Sequence, residues 1–132
     1  MTLTPEFDDF RRSYDKGAPA VLMRRIVSDL ETPVSAYLKL ASRRRNAFLL
    51  ESVEGGEQLG RYSIIGMKPD AIWRAFGGHA ELNARAAADA ADFKLEKLKP
   101  LESLKAFIDA SRIALPPGAP PMAAGVFGYF SY

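Results

Sequence analysis

The chain has 132 residues, a formal net charge of +2 and no cysteine. That length allows at most one domain, or one piece of a larger one, and the missing cysteines exclude a disulfide framework or a thiolate metal site. The small charge excludes the basic stripe of a nucleic-acid binder, and no apolar run is long enough to span a bilayer. The basic clusters Arg11-Arg12, Arg24-Arg25 and Arg43-Arg44-Arg45 read as solvated faces of helices and strand ends. The opening residues are acidic early and lack an apolar core, so neither a secretory leader nor a transit peptide is expected.

Thr4-Pro5-Glu6 reads as a helix start, with a hydroxyl cap, proline at the first helical position and acids in the first turn. Phe7, Phe10 and Tyr14 then share one face, and Gly17 can end the helix. Ala20 to Ser28, rich in Val, Ile, Leu and Met, reads as a strand. Thr32-Pro33 repeats the helix-start signal. Val34, Tyr37, Leu38 and Ala41 form that helix's apolar side, and basic residues from Ser42 to Arg45 complement the negative end of its dipole.

Asn46 to Val53 and Tyr62 to Met67 read as strands around a turn at Gly55-Gly56. Ala71 to Phe76 and His79 to Leu82 form a tight hairpin through Gly77-Gly78, because glycine accepts positive φ without steric cost. Ala84 to Asp92 reads as a loop. Pro100 opens a third helix with a stripe of Leu101, Leu104, Phe107, Ile108 and Ser111. Leu115 to Pro121 is a stiff connector, and Ala123 to Tyr132 reads as an apolar, aromatic strand. An apolar strand without a turn or polar tail leaves an edge without a partner, so the chain is expected to be a fragment. The fold class expected is α+β, mostly antiparallel sheet with about three helices.

The densest chemistry lies between Phe48 and Gly66. One apolar run ends in Glu51-Ser52, and the next follows Arg61-Tyr62-Ser63. A hairpin would bring a carboxylate, a hydroxyl and a guanidinium together at the end of a buried sheet. Such a set suits a small zwitterion: an α-ammonium seeks a carboxylate, and an α-carboxylate seeks hydroxyl or cationic donors. The competing readings are a plain strand end for Glu51-Ser52 and a surface ion pair of Arg61 with Glu51, Glu54 or Glu57. His79, the single histidine, reads as a solvated hairpin residue with no partner for acid–base work. Gly55-Gly56 and Gly125/Gly128 lack the spacing of a phosphate loop, and the scattered acids offer no metal-ligand spacing. Trp73, Met122 and the last aromatic segment read as core.

Leu49-Leu50-Glu51-Ser52 followed by Gly60-Arg61-Tyr62-Ser63-Ile64-Ile65-Gly66 resembles the amino-terminal domain of anthranilate synthase component I. Asp29-Leu30-Glu31-Thr32-Pro33-Val34 and the segment Gly125 to Tyr132 resemble the same family, in order, over nearly the whole chain. The resemblance implies an enzyme of tryptophan biosynthesis that turns chorismate into anthranilate and pyruvate. Its ammonia comes from glutamine through a separate amidotransferase subunit, and it uses magnesium in the cytoplasm. The active site and metal ligands of such enzymes lie in a larger catalytic domain, expected outside these residues, so no catalytic residue is assigned. The strands here would join that domain in a β-sandwich flanked by helices. The Leu-Leu-Glu-Ser segment implies part of an L-tryptophan inhibitor site, placed on Leu49, Leu50, Glu51 and Ser52, with Arg61 as a basic residue and Tyr62 lining the pocket. Two alternatives stand beside this: the corresponding domain of aminodeoxychorismate synthase component I, and a free-standing amino-acid-binding module.

Overall fold

In the computed structural model, residues 3–51, 62–120 and 122–131 are described. In chain order they form β1 (Leu3–Thr4), α1 (Phe7–Asp15), β2 (Met23–Arg24), α2 (Pro33–Leu40), β3 (Phe48–Glu51), β4 (Ser63–Gly66), β5 (Ile72–Phe76), β6 (His79–Asn83), β7 (Lys94–Leu95) and α3 (Pro100–Ala110). Each ladder among them is antiparallel. The class is α+β, as the residue patterns imply. The chain divides into two compact units, Met1–Val27 with Leu101–Tyr132, and Ser28–Pro100.

In the first unit, Leu3 pairs with Arg24 and Thr4 with Met23. This pairing corrects the expected helix start. Thr4 is held in a ladder, so the helix begins at Phe7 with Glu6 as an extended N-cap that makes no side-chain cap bond. Asp8 and Asp9 still sit in the first turn, where the dipole favours carboxylates. Gly17 follows the helix at φ 67 as expected, and the Phe10 and Tyr14 rings stack at 5.9 Å. The strand expected over Ala20 to Ser28 shrinks to Met23–Arg24, because β1 offers ladder partners to those residues alone.

α3 starts on Pro100 as expected. Its inward line is Ser103, Leu104, Phe107 and Ser111, with Ser103 buried and the others half-buried. Leu101 and Ile108, expected in that stripe, lie off its side and are exposed. Lys105 Nζ donates to Asp109 Oδ2 at 2.7 Å, and Arg112 also pairs with Asp109. These bonds hold the Asp109 carboxyl below its ordinary pKa and raise that of Lys105. Among its described residues, 115–120, the Pro-rich connector carries no helix or strand, with Gly118 at φ 77. The strand expected over Ala123 to Tyr132 does not form among the described residues: no ladder includes residues 122–131. An extended segment becomes a strand only against a partner. Met122, Tyr129 and Phe130, expected in a core, are exposed.

In the second unit, Thr32 caps α2 as its Thr-Pro signal implies. Ser35 N–H donates to Thr32 Oγ1 at 3.1 Å, and Thr32 N–H donates to Ser35 Oγ at 2.9 Å, a reciprocal capping box. Ser35 Oγ also donates to Glu31 Oε2 at 2.7 Å, and Lys39 pairs with the other oxygen of that carboxylate. The bonds from Lys39 and Ser35 hold Glu31 below its ordinary pKa. At the far end, Arg44 Nε donates to Leu40 O at 2.9 Å and Ser42 Oγ to Leu38 O at 2.7 Å, so side chains satisfy carbonyls the helix leaves open. Tyr37 and Ala41 turn inward, whereas Val34 and Leu38, expected with them, are exposed.

α2 packs on β3 and β4, which pair in the register Phe48↔Gly66, Leu49↔Ile65, Leu50↔Ile64 and Glu51↔Ser63. The Gly55-Gly56 turn lies outside the described residues. β5 and β6 meet through Gly77-Gly78, with Gly77 at φ 57, and β7 adds to the far edge of β6. Arg74 pairs with Glu81 across the ladder at 2.6 Å, and its guanidinium stands 3.6 Å from the centre of the Phe93 ring. Trp73 is half-buried opposite Leu82. Asn83 is fully buried at the end of β6. Its Nδ2 donates to Asp89 O at 2.7 Å and its Oδ1 accepts from Arg85 N–H at 2.9 Å. One side chain thereby closes the Ala/Asp-rich loop onto the sheet.

Candidate functional site

The Glu51–Ser63 end of the β3–β4 pair, where the chain leaves one strand for the other, is the candidate site. Four cross-strand pairs set its geometry, because directly opposed residues share a face and neighbours along a strand alternate. Glu51 therefore shares a face with Ser63, Leu49 and Ile65, while Leu50 lies on the other face with Ile64, Phe48 and Gly66. Glu51 and Ser63 are both exposed, and Leu49 and Ile65 beside them are half-buried. The result is a carboxylate opposite a hydroxyl, next to an apolar pair further down the ladder.

Of the residues assigned from sequence, Leu49, Leu50, Glu51 and Tyr62 are described, and Ser52 and Arg61 lie outside the described residues. Leu50 and Tyr62 are exposed at 47% and 45%. Alternation separates Leu50 from Glu51, so the two present themselves to opposite sides of the hairpin. Ser63, absent from the residues assigned from sequence, is the residue the register brings to Glu51. Its signal was the pairing itself, which depends on the length and path of the connection and not on local composition.

The pair can receive a zwitterion head group. A carboxylate attracts an ammonium, and a hydroxyl donates to a carboxylate. His79 is exposed at the start of β6, opposite Phe76. Among the described residues, no group of three or more His, Cys, Asp or Glu side chains converges as a metal site would. Also among the described residues, no helix is long and apolar enough to cross a membrane. In the first unit, a cavity of about 500 Å³ is lined by Ile108, Ser111, Arg112, Leu115 and Val126 among others. Its polar groups are already engaged, Ser111 Oγ with Phe107 O and Arg112 with Asp109.

No family model matches the chain, and no solved structure gives a significant match. Curated sequences do match. Anthranilate synthase component 1 of Cereibacter sphaeroides is 47% identical over 126 residues, which are 96% of this chain and 25% of that protein. The protein of the same name from Pseudomonas putida is 38% identical over 107 residues, 80% of this chain and 21% of the relative. That of Synechocystis is 35% identical over 130 residues, 98% of this chain and 25% of the relative. The chain spans about a quarter of the length of the curated relatives it matches. With similarity of this strength carried across nearly all of its residues, the chain belongs to the anthranilate synthase component 1 family.

Proposed function

We propose that these residues are the amino-terminal, tryptophan-sensing part of an anthranilate synthase component I. The observation that carries the reading is the 47% identity, over 96% of the chain, to a protein of that name. The parent enzyme is a cytoplasmic lyase that forms anthranilate and pyruvate from chorismate and glutamine-derived ammonia. Catalysis and magnesium binding belong to a larger catalytic domain of the same polypeptide, and an amidotransferase subunit supplies the ammonia. Residues 1–132 are not catalytic by themselves.

In this reading the end of the β3–β4 hairpin binds L-tryptophan. Leu49, Leu50, Glu51, Ser52, Arg61 and Tyr62 are the assigned residues, with Glu51 facing the α-ammonium and the hydroxyl and guanidinium groups facing the α-carboxylate. Two observations on this chain support it. Glu51 stands at the exposed end of its ladder opposite a hydroxyl. Large apolar side chains such as Leu30, Val27, Tyr129 and Phe130 are exposed, as expected of surfaces that the rest of the polypeptide covers. Its strands would then extend these short sheets into a sandwich.

Inhibition follows if tryptophan binds one domain arrangement better than another and that arrangement handles chorismate poorly. A ligand shifts an equilibrium only by its difference in affinity for the two states. The test is product analysis of the full-length protein with its amidotransferase partner, chorismate, glutamine and magnesium. Anthranilate should form, and added tryptophan should suppress it. Formation of 4-amino-4-deoxychorismate instead would place the chain with the sister enzyme.

A further inference from the structure

The ladder register singles out a residue that the sequence motif leaves aside. Glu51 and Ser63 are Cα partners in the last pair of the β3–β4 ladder. Opposed side chains have Cβ atoms about 4.5–5.5 Å apart and share a face. Both residues are exposed, and among the described residues neither side chain has a hydrogen-bond or ion-pair partner. A carboxylate and a hydroxyl at that spacing match the two ends of an α-amino-acid head group, whose ammonium and carboxylate sit on one carbon. Leu49 and Ile65 lie on the same face about 7 Å further along the strands, half-buried, and give the amino-acid side chain an apolar wall.

We propose that Ser63 is a ligand-binding residue of the hairpin site, donating its hydroxyl to the α-carboxylate of the amino acid whose ammonium Glu51 receives. This rests on the reading of the hairpin end as a tryptophan site, and it adds a contact which that reading does not contain. The hydroxyl is free to donate toward the ligand because the ammonium occupies the Glu51 oxygens. Leu50, on the opposite face, then takes no part in gripping the head group.

Calorimetric titration of the full-length protein tests this, with tryptophan and with tryptamine, which lacks the carboxylate. Ser63→Ala should weaken tryptophan binding about tenfold and leave tryptamine binding within about twofold, the ratio expected for loss of one hydrogen bond to a charged group. Ser63→Thr, which keeps the hydroxyl, should stay within about threefold of the parent for tryptophan. Equal losses for both ligands, or an equal loss in Ser63→Ala and Ser63→Thr, would mark Ser63 as structural and overturn the proposal. If tryptamine binding is undetectable in the parent, the contrast between the alanine and threonine variants decides. Unchanged tryptophan affinity in Ser63→Ala alongside a loss in Glu51→Gln would remove Ser63 and keep the site. A parent protein that binds no tryptophan would remove both.

Discussion

The ring of Phe48 occupies the space that a side chain on Gly66 would need. The two residues oppose each other in the β3–β4 ladder, on the same face as Leu50 and Ile64. A Cβ at this position would meet the Phe48 Cε1 and Cζ atoms, so the ring would have to shift to admit one. The hairpin that carries the candidate site is therefore closed at its base by one aromatic ring lying over one bare backbone position.

Gly66→Ala should destabilise the protein by about 1–3 kcal/mol, the usual cost of overpacking. The loss should shrink when Phe48→Leu is introduced with it, because contacting residues give non-additive effects. Urea unfolding of the two single variants and the double variant checks this. Strict additivity would show that the ring and the missing side chain do not compete.

Asn83 is the second lever. It is fully buried with both ends of its amide satisfied, so Asn83→Leu should cost about 1–3 kcal/mol through the unpaired Arg85 N–H and Asp89 O it leaves behind. The local signature is hydrogen exchange. The Arg85 amide should lose protection in the variant while amides in α2 keep theirs, and retained protection at Arg85 would contradict the assignment.

The cap of α2 predicts a further loss and a pH dependence. Thr32→Ala removes the acceptor for Ser35 N–H and should cost about 0.5–2 kcal/mol in thermal unfolding. Glu31 beside it is held below its ordinary pKa by Lys39 and Ser35. A carboxyl lowered in the folded state adds stability above its unfolded pKa, and that stability is lost as the pH falls through the folded value. The parent should therefore lose stability relative to Glu31→Gln as the pH drops below about 4. The effect is small because the pair is exposed. A constant difference between the two proteins from pH 6 to pH 3 would refute it.

Much of this fold was legible because its signals are local. Thr32-Pro33 states a capped helix by itself, Pro100 states another, and Gly77-Gly78 between two apolar runs states a hairpin. The misreadings involve partners distant in sequence. Thr4 looks like a cap until Met23 claims it for a ladder, and residues 122–131 look like a strand but no described strand pairs with them. The inward faces of α2 and α3 follow the same rule, since Val34, Leu38, Leu101 and Ile108 have apolar character yet lie exposed. At the candidate site, Glu51 stood out through its motif, whereas Ser63 emerged only once the register was in hand.

The central claim is that the Glu51 end of the β3–β4 hairpin holds the head group of tryptophan. The most direct measurement is tryptophan inhibition of anthranilate formation by the full-length enzyme, comparing Glu51→Gln and Ser52→Ala with the parent, each relative to its own uninhibited rate. Both variants should need about ten times more tryptophan for half-inhibition, or more, as expected for losing a hydrogen bond to a charged group. Half-inhibition at the parental concentration in both variants would contradict the claim.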